Sequence, residues 1–351
     1  MTKIRPFTGA DLSAVAALVD ARFPGWIWGE SLLAETLVNH PWMDPDLPSL
    51  VALDEQDDVI GFLGAQVRRL RFDQRPLRGV CCSHLVVAAD RRAGFAGPLL
   101  LHQMLAGPQD LSWTDTATDT VVGMWRRFGG HVDYSRSCDW MLVLKPLHWA
   151  VRILRARARR QPLGRRLTPV GAFPIQAVGP RLMPRAFPAP PPEVRSEEAT
   201  VAAIVAQLPI LTRKTRLRVD YDQAHLEHQF AQVEAAVGPV VHRLVRRGES
   251  PIGWYAYVRQ PSGVSRVLHL SARDAETEAV VGELVESGRA DGSAVLTGRA
   301  EPHLDWPLRR RLAVLGFARQ PVIHTRNAEI RGVLATSSSL LTVLDGEWFG
   351  T

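Results

Sequence analysis

The stretch between residues 85 and 101 is the feature that most constrains how this 351-residue chain can fold. An apolar strand pattern at 85–87 runs into a basic turn, and an apolar helix pattern follows that turn. Backbone N–H groups at a helix start lack intrahelical partners and carry partial positive charge, so they attract anions. Gly94 and Ala96 are small enough for an oxyanion to approach the backbone, while Arg91 and Arg92 add positive charge. We therefore expect a phosphate group to bind between this strand and this helix.

Residues 1–146 alternate short strand and helix patterns around that turn, and the polar stretch at 54–58 joins two of the strands as a β-hairpin. Strands are predicted at 4–7, 50–53, 59–67, 79–87, 111–114 and 140–144, and helices after an Asp11 cap, at 30–39, at 97–105 and at 120–128. This order predicts one domain over 1–146, with a mixed sheet flanked by helices and closed by the strand at 140–144.

The turn also carries a sequence motif. The pattern Arg91-x-x-Gly94-x-Ala96 resembles the Arg/Gln-x-x-Gly-x-Gly/Ala signature of the GNAT (N-acetyltransferase) superfamily. By this resemblance the domain binds acetyl-CoA or another acyl-CoA. The strand end would pair its backbone with the pantetheine arm, and the turn would hold the pyrophosphate. The residues so implied are Val86 and Val87 on the strand and Arg91, Arg92, Ala93, Gly94, Phe95, Ala96 and Gly97 in the turn.

A second segment, Trp125-Arg126-Arg127-Phe128-Gly129-Gly130, resembles the family's helix-ending Tyr-x-x-x-Gly-Phe segment, with two departures. Trp125 stands where the family often has a tyrosine that serves as general acid, and Gly130 replaces the phenylalanine. An indole cannot protonate a leaving thiolate as a phenol can. The usual acid is therefore missing from its expected position.

Acyl transfer to an amine needs a base for the nucleophile's proton and donors for the developing oxyanion. His84, on the strand before the turn, is a candidate base with a pKa suited to neutral pH, although a histidine in a strand also fits a structural role. Tyr134 is a second catalytic candidate, and Asp133 and Ser83 are weaker ones. His225 and His228 share a helix face but have no third ligand at suitable spacing, so no metal is expected.

Residues 147–195 differ in character, with an arginine-rich helical stretch followed by a proline-rich segment that ends in Pro188-Ala189-Pro190-Pro191-Pro192. Such proline density favours a stiff, extended linker. The arginines fit either a solvated basic face or a patch that contacts an anionic membrane surface. The chain has a net charge of +6, and its excess of positive charge lies mainly in this segment. No nucleic-acid-binding motif accompanies it, so nucleic acid is not the expected partner.

Residues 196–351 repeat the order of the first half, including a hairpin, a strand near 264–271, a helix at 276–286 and a helix near 308–315. The stretch Ala272-Arg273-Asp274-Ala275-Glu276 stands where a phosphate turn would be, yet it lacks glycine and carries acids that repel phosphate. The layout resembles bacterial tandem GNAT-like proteins, with a degenerate second domain. The fold class implied is α/β (α+β), with two GNAT-like domains, each a mixed, mostly antiparallel sheet flanked by helices.

The three cysteines have no paired spacing, which indicates a reducing compartment. Met1–Phe7 is too polar for a secretory signal, and no apolar run approaches the ~20 residues of a membrane span. We expect a cytoplasmic protein.

Three functions remain open. The leading hypothesis is an acyl-CoA-dependent N-acyltransferase that acts on a small-molecule or peptide acceptor, in a cleft between the domains. The alternative is a non-catalytic acyl-CoA-binding sensor or scaffold. A nucleic-acid or membrane-surface binder that uses the basic linker is the third.

Overall fold

The chain forms two compact units in a computed structural model that describes residues 2–25, 29–89, 94–146, 149 and 189–348. Neither unit is continuous in sequence. The first contains Met1–Ser137, Thr215–Ala236 and Ala318–Thr351, and the second contains Cys138–Lys214 and Val237–Phe317.

The first unit is built on a nine-stranded mixed sheet. Its order is β1-β2-β3-β4-β5-β15-β6, and β9 pairs with both β3 and β16. The strands of this unit are β1 (Lys3–Pro6), β2 (Leu50–Leu53), β3 (Val59–Phe72), β4 (Arg75–Val87), β5 (Leu111–Thr114), β6 (His131–Val132), β9 (Leu217–Val219), β15 (Val322–His324) and β16 (Ser339–Leu340). Its α-helices are α1 (Leu12–Arg22), α2 (Glu30–Leu37), α3 (Ala96–Leu105), α4 (Asp119–Arg127), α6 (Gln223–Ala236) and α9 (Ala328–Leu334).

The second unit has a seven-stranded mixed sheet in the order β14-β7-β13-β12-β11-β10-β8. Its strands are β7 (Cys138–Val143), β8 (Val194–Glu198), β10 (Val240–Arg247), β11 (Ser250–Arg259), β12 (Val264–Ala272), β13 (Val295–Arg299) and β14 (Val314–Phe317). Its helices are α5 (Val201–Leu211), α7 (Thr277–Ala290) and α8 (Asp305–Arg310). Both sheets are mixed, mostly antiparallel and flanked by helices, which confirms the predicted fold class.

The helix α3 shows why these residues form a core layer. Its apolar residues recur at helical spacing, so Leu100, Leu101, Met104 and Leu105 share one face and are all buried. That face packs on β2, β3 and β4 in one hydrophobic cluster. Each buried leucine contributes roughly 1.5–3 kcal/mol relative to an exposed one. This packing fixes the start of α3 against the sheet.

The same unit of structure occurs in both halves. In the first, the antiparallel pair β3–β4 is followed by α3 and by β5, which pairs parallel to β4. In the second, the antiparallel pair β11–β12 is followed by α7 and by β13, which pairs parallel to β12. This repetition supports the predicted tandem arrangement.

Two expectations about individual elements are wrong. The predicted strand at 140–144 does not close the first sheet, because β7 pairs with β13 and β14 of the second unit. The position beside β5 is instead occupied by β15, which comes from near the end of the chain. The helix predicted near 308–315 ends at Arg310, and Val314–Phe317 pairs with β7 as an edge strand.

The predicted domain bounds, 1–146 and 196–351, differ from the two compact units for the same reason. The segment Thr215–Ala236 and the chain after Phe317 contribute elements to the first unit, so neither half of the sequence is self-contained. Of the predicted linker at 147–195, residues 147–148 and 150–188 lie outside the described residues. Among the helices that the structure describes, none is long and apolar enough to cross a membrane.

The close approach of α7 to β11 yields a stability prediction. A β-carbon at Gly253 would lie 2.5 Å from the Ser271 carbonyl oxygen and 2.6 Å from a methyl group of Val280. We expect Gly253→Ala to lower the free energy of unfolding by about 1–3 kcal/mol, because strand or helix must shift. Urea unfolding measures the effect. Gly123→Ala, on α4 where a β-carbon meets no atom within 4 Å, is the control and should be neutral or slightly stabilising. Equal effects of the two changes would contradict the packing argument.

Candidate active site

The strands β4 and β5 separate at one end of the first sheet. They pair in parallel register from Gly79–Leu111 to Cys81–Trp113, and β4 then continues to Val87 while β5 ends at Thr114. The outer part of β4, residues 82–87, therefore extends beyond the strand that flanks it. Backbone N–H and C=O groups on such an edge are available to an extended ligand.

A β-bulge lies in this outer part of β4. Phe62 faces Val86 and Gly64 faces Ser83, so two residues of β4, His84 and Leu85, lie opposite a single residue of β3. His84 adopts the left-handed conformation, with φ of 54°. A bulge bends its strand and turns backbone groups out of the ladder. The bulge lies in the part of β4 beyond its last pair with β5.

The structure brings the predicted strand end and helix start together. A β-carbon at Gly97 would lie 3.6 Å from Cγ1 of Val87, so the first turn of α3 begins beside the end of β4. Ala96 and Gly97 are buried there, as is Val86, whereas Val87 is half-buried. The side chain of the cap residue Phe95 gives the helix no hydrogen bond. The cap residue itself therefore leaves the first N–H groups of α3 without a side-chain partner of its own.

The turn itself is described only in part. Gly94 and Phe95 are exposed, and Phe95 shows 79% of its surface to solvent. Arg91, Arg92 and Ala93, which the sequence places on the pyrophosphate, lie outside the described residues. Their assignment stays a prediction.

His84 is a weaker proton acceptor than the sequence suggests. It is 7% exposed, and burial lowers its pKa to about 3 because the protonated imidazolium would lose its hydration. The expectation of a pKa near neutrality is therefore not met. An imidazole with so low a pKa is too weak a base to remove the proton of an amine efficiently at neutral pH.

The other sequence candidates lie in different environments. Tyr134 is 71% exposed in the short 3-10 turn Tyr134–Arg136, so its hydroxyl is accessible to solvent. Asp133, in contrast, forms a buried ion pair at 2.6 Å with Arg136. Ser83 is buried on β4 at the start of the bulge.

The two departures from the family segment have packing reasons. Trp125 is 1% exposed and belongs to the core cluster under α3 and α4. Gly130 donates its N–H to the Trp125 carbonyl at 2.8 Å, and a β-carbon at Gly130 would lie 3.1 Å from the Trp125 ring. A bulky residue in place of Gly130 would collide with that indole. Trp125 therefore fills the core rather than facing a ligand.

A carboxylate pair that sequence reasoning missed lies at the end of β5. One oxygen of Glu347, Oε2, accepts hydrogen bonds from Thr114 Oγ1 at 2.8 Å, Asp115 N at 2.7 Å, Thr116 N at 3.0 Å and Thr116 Oγ1 at 2.9 Å. The Glu347 N–H donates in turn to Asp115 Oδ2 at 3.1 Å. The two carboxylates are separated by 232 residues of sequence, so no local pattern could join them. Burial, followed by the charge of Asp115, raises the pKa of Glu347 to about 7.

The segment before Glu347 is held by a second buried polar group. Arg68 of β3, 1% exposed, donates from Nε to the Asp345 carbonyl at 2.9 Å and from Nη2 to Gln66 at 2.9 Å. The Tyr221 hydroxyl donates to the Asp345 carboxylate. Together these bonds hold Asp345 against Arg68 of β3 and Tyr221.

The matching strand end in the second unit is already occupied. Pairing between β12 and β13 ends at Arg266–Thr297 while β12 continues to Ala272, as in the first unit. Here, however, Nε2 of His303 lies 3.0 Å from the Leu270 carbonyl, within hydrogen-bond distance of the strand backbone. At the start of α7, Glu276 binds Arg247 and Glu278 binds Arg311. The assignment of the second unit as a degenerate domain stays a prediction.

The histidines of α6 have structural surroundings. The His225 ring stacks on Trp42 with 3.4 Å between centroids, and burial lowers its pKa well below the usual value. Nε2 of His228 lies 3.1 Å from the Glu35 carbonyl. Within the part of the chain that the structure describes, no group of three or more His, Cys, Asp or Glu side chains has the geometry of a metal site.

Comparison with known proteins gives similarity in structure but not in sequence. No family model matches the chain, and no curated protein matches it. A GCN5-related N-acetyltransferase from Anabaena variabilis ATCC 29413 aligns with a TM-score of 0.61 and 10% identity, over 93% of this chain and 74% of that one. A GCN5-related N-acetyltransferase from Kribbella flavida aligns with a TM-score of 0.57 and 16% identity, over 93% and 73%.

A third similar structure is N-myristoyltransferase of Saccharomyces cerevisiae, solved with bound myristoyl-CoA. It aligns with a TM-score of 0.53 and 10% identity, over 92% of this chain and 78% of that one. Identities this low carry information on the fold alone. The chain has the fold of the GNAT superfamily, and the likeness extends over both units, as the sequence predicted.

Gly346 allows the C-terminal segment to dock, which gives a test. A β-carbon at Gly346 would lie 1.7 Å from Oδ2 of Asp115, so any side chain there must displace the carboxylate or the segment. We expect Gly346→Ala to destabilise the first unit by about 1–3 kcal/mol and to expose its C-terminal segment. Thermal unfolding and limited proteolysis measure the two effects. Gly332→Ala on α9, where a β-carbon meets no atom within 4 Å, is the control: it should leave the C-terminal segment protected and be neutral or slightly stabilising in thermal unfolding.

The shifted pKa of Glu347 predicts a pH dependence of stability. Its folded value of about 7 lies above the usual 4.5, so the folded state binds this proton more tightly than the unfolded state does. The resulting stabilisation is fully present below pH 4.5 and is lost as the pH rises through 7. We expect Glu347→Gln, which cannot ionise, to gain stability relative to wild type over that interval, by on the order of 2–3 kcal/mol.

Urea unfolding at a series of pH values measures this difference. The exposed Glu329→Gln in the same unit serves as the charge-matched control, and its difference from wild type should stay nearly constant. A flat difference for Glu347→Gln would show that the Glu347 carboxylate titrates in its ordinary range.

Proposed function

We propose that the first unit binds acyl-CoA and transfers the acyl group to an amine of a small-molecule or peptide acceptor. The observation that carries this proposal is the outer part of β4, which extends past β5 and ends beside the start of α3. An extended chain with amide groups and a terminal pyrophosphate fits such an arrangement, because its amides can pair with the strand and its phosphates can meet the helix N-terminus.

Each part of the coenzyme has a proposed contact. The pantetheine amides pair with the backbone at Val86 and Val87. The pyrophosphate meets the N–H groups of Gly94–Gly97, with charge from Arg91 and Arg92. The turn is exposed at Gly94 and Phe95, so this end of the ligand can enter from solvent.

The reaction is direct transfer. The amine nitrogen attacks the thioester carbon, the carbonyl electrons move to oxygen, and the tetrahedral intermediate collapses with cleavage of the C–S bond. We propose that backbone N–H groups of the outer part of β4, beside the bulge, donate to the developing oxyanion. We propose that the exposed Tyr134, near the end of the segment Met1–Ser137, protonates the leaving thiolate with its phenol.

The neighbouring structures support the general chemistry. Two are named as N-acetyltransferases, and the yeast N-myristoyltransferase was solved with myristoyl-CoA. By this likeness, acyl-CoA is the donor that we propose for the present chain, with acetyl-CoA as the first donor to test. We place the reaction in the cytoplasm, where acyl-CoA is available and the unpaired cysteines stay reduced.

A second candidate function is an acyl-CoA-binding sensor or scaffold without chemistry. It is favoured by Trp125, which is buried where the related segment carries a tyrosine, and by the low pKa of His84. Binding without turnover would distinguish it from the transferase.

The coenzyme site is tested by isothermal titration of acetyl-CoA and of longer acyl-CoAs. We expect saturable binding to wild type and a loss of at least tenfold in affinity for Gly94→Val, because the valine side chain blocks the phosphate's approach to the backbone. That factor corresponds to about 1.4 kcal/mol, within the range of one charged hydrogen bond. Gly123→Val on α4, an exposed site with no atom within 4 Å of the added β-carbon, is the matched control. Unchanged affinity in Gly94→Val would remove the turn from the site.

A further inference from the structure

The Glu347 carboxylate lies at the opening between β4 and β5. Its four hydrogen-bond donors all belong to Thr114, Asp115 and Thr116, which directly follow Trp113 in the chain. Trp113 forms the last pair between β5 and β4, with Cys81. The carboxylate is therefore fixed immediately beyond the point where the two strands separate, which is the proposed path of the pantetheine arm.

The hydrogen bonds hold one oxygen of the carboxylate. Among the residues that the structure describes, all four donors bind Oε2, and none of these bonds involves Oε1. The backbone of Glu347 is fixed as well. Its N–H donates to Asp115, and the preceding Gly346 lies directly against that residue. One oxygen is thus anchored, and the other is left to accept a proton in a defined orientation.

The titratable groups that act on Glu347 come from two places: Asp115 follows β5, and Cys81 and Cys82 lie on β4. Arg68 of β3 acts on Asp115 and on Asp345, which precedes Glu347 in its own segment. Asp115 and burial disfavour the ionised form of Glu347, and the four donors favour it. The balance raises the pKa of Glu347 to about 7, close to the value at which a general base works best at neutral pH.

We infer that Glu347 is the general base of acyl transfer and accepts the proton of a primary amine through Oε1, while Asp115 acts as its positioning residue. This inference rests on the proposed function and adds the residue that removes the acceptor's proton. Burial lowers the pKa of His84 to about 3, and the Tyr134 side chain is exposed to solvent.

The proton balance is complete. As the amine nitrogen bonds to the thioester carbon, its proton passes to Oε1 of Glu347. The C–S bond then breaks, and the coenzyme A thiolate takes a proton from Tyr134, which regains one from solvent, or directly from water. Glu347 returns its proton to solvent, and the products are an amide and free coenzyme A. The two acidic side chains at this position also favour an acceptor that arrives as an ammonium cation. Such an acceptor gives one proton to solvent before the neutral amine attacks, and Glu347 takes the second.

The test compares wild type, Glu347→Gln and the control Glu329→Gln in the full chain. Acetyl-CoA is the donor, a panel of primary amines supplies acceptors, and release of the coenzyme A thiol is followed from pH 5 to 9. Slow hydrolysis of acetyl-CoA, in which water replaces the amine, is read in the same assay. We expect Glu347→Gln to lose about 10²–10⁴-fold in kcat and to lose the low-pH limb of the profile near 7, with acetyl-CoA affinity unchanged. Glu329→Gln should match wild type.

A second variant separates catalysis from structural anchoring. Asp115→Asn removes the neighbouring charge and keeps Glu347, so the low-pH limb should move to lower pH while activity persists. A merely structural role for the pair would leave the position of this limb unchanged. If Glu347→Gln fails to fold, the pH profile of Asp115→Asn still tests the role of Glu347.

The outcomes separate the two proposals. Activity and a pH profile equal to wild type in Glu347→Gln overturn the role of Glu347 and leave the acyltransferase standing. Saturable acetyl-CoA binding in wild type, with neither transfer nor hydrolysis, overturns both the transferase and its base and leaves the sensor. No binding of acetyl-CoA to wild type overturns the coenzyme site itself.

Discussion

The separation of β4 from β5 is the constraint on which the rest of the first unit depends. A parallel ladder that ends at Cys81–Trp113 leaves strand backbone without its neighbour, and such groups need a partner when water is excluded. The second unit has the same separation and places His303 against it. The same strand separation thus has a different partner in each unit. In the second unit the His303 side chain contacts the strand edge, and in the first unit we propose that a coenzyme binds to it.

The C-terminal part of the chain belongs to the first unit and places the Glu347 carboxylate near the opening between β4 and β5. The C-terminal segment packs on the first sheet, where Arg68 holds Asp345 and the residues after β5 hold Glu347. Burying these groups costs desolvation, which the hydrogen bonds offset. The hydrogen bonds do not fully offset the desolvation of Glu347, so its pKa is raised to about 7. A carboxylate with this pKa is suited to accepting a proton near neutral pH.

Much of the first unit could be predicted from local pattern. The hairpin β2–β3, the strand β4 and the helix α3 appear close to their expected positions, because alternation and helical spacing are written in neighbouring residues. The sheet to which β7 belongs could not be predicted. A short apolar strand has the same pattern whichever sheet it joins, and only its hydrogen-bonded partners β13 and β14 decide the matter. His84 had the right residue type for a base, but burial set its pKa.

By itself, the sequence determined the strand, turn and helix around Gly94, the repetition of that order in the second half, and the lack of a glycine turn there, because each depends on residues within about fifteen positions of one another. Only the tertiary structure decided which strands share a sheet, that Trp125 is a core residue, and that Glu347 meets Asp115 across 232 residues. The physical reason is that hydrogen-bond partners, burial and pKa depend on distance in space, which local sequence pattern does not contain.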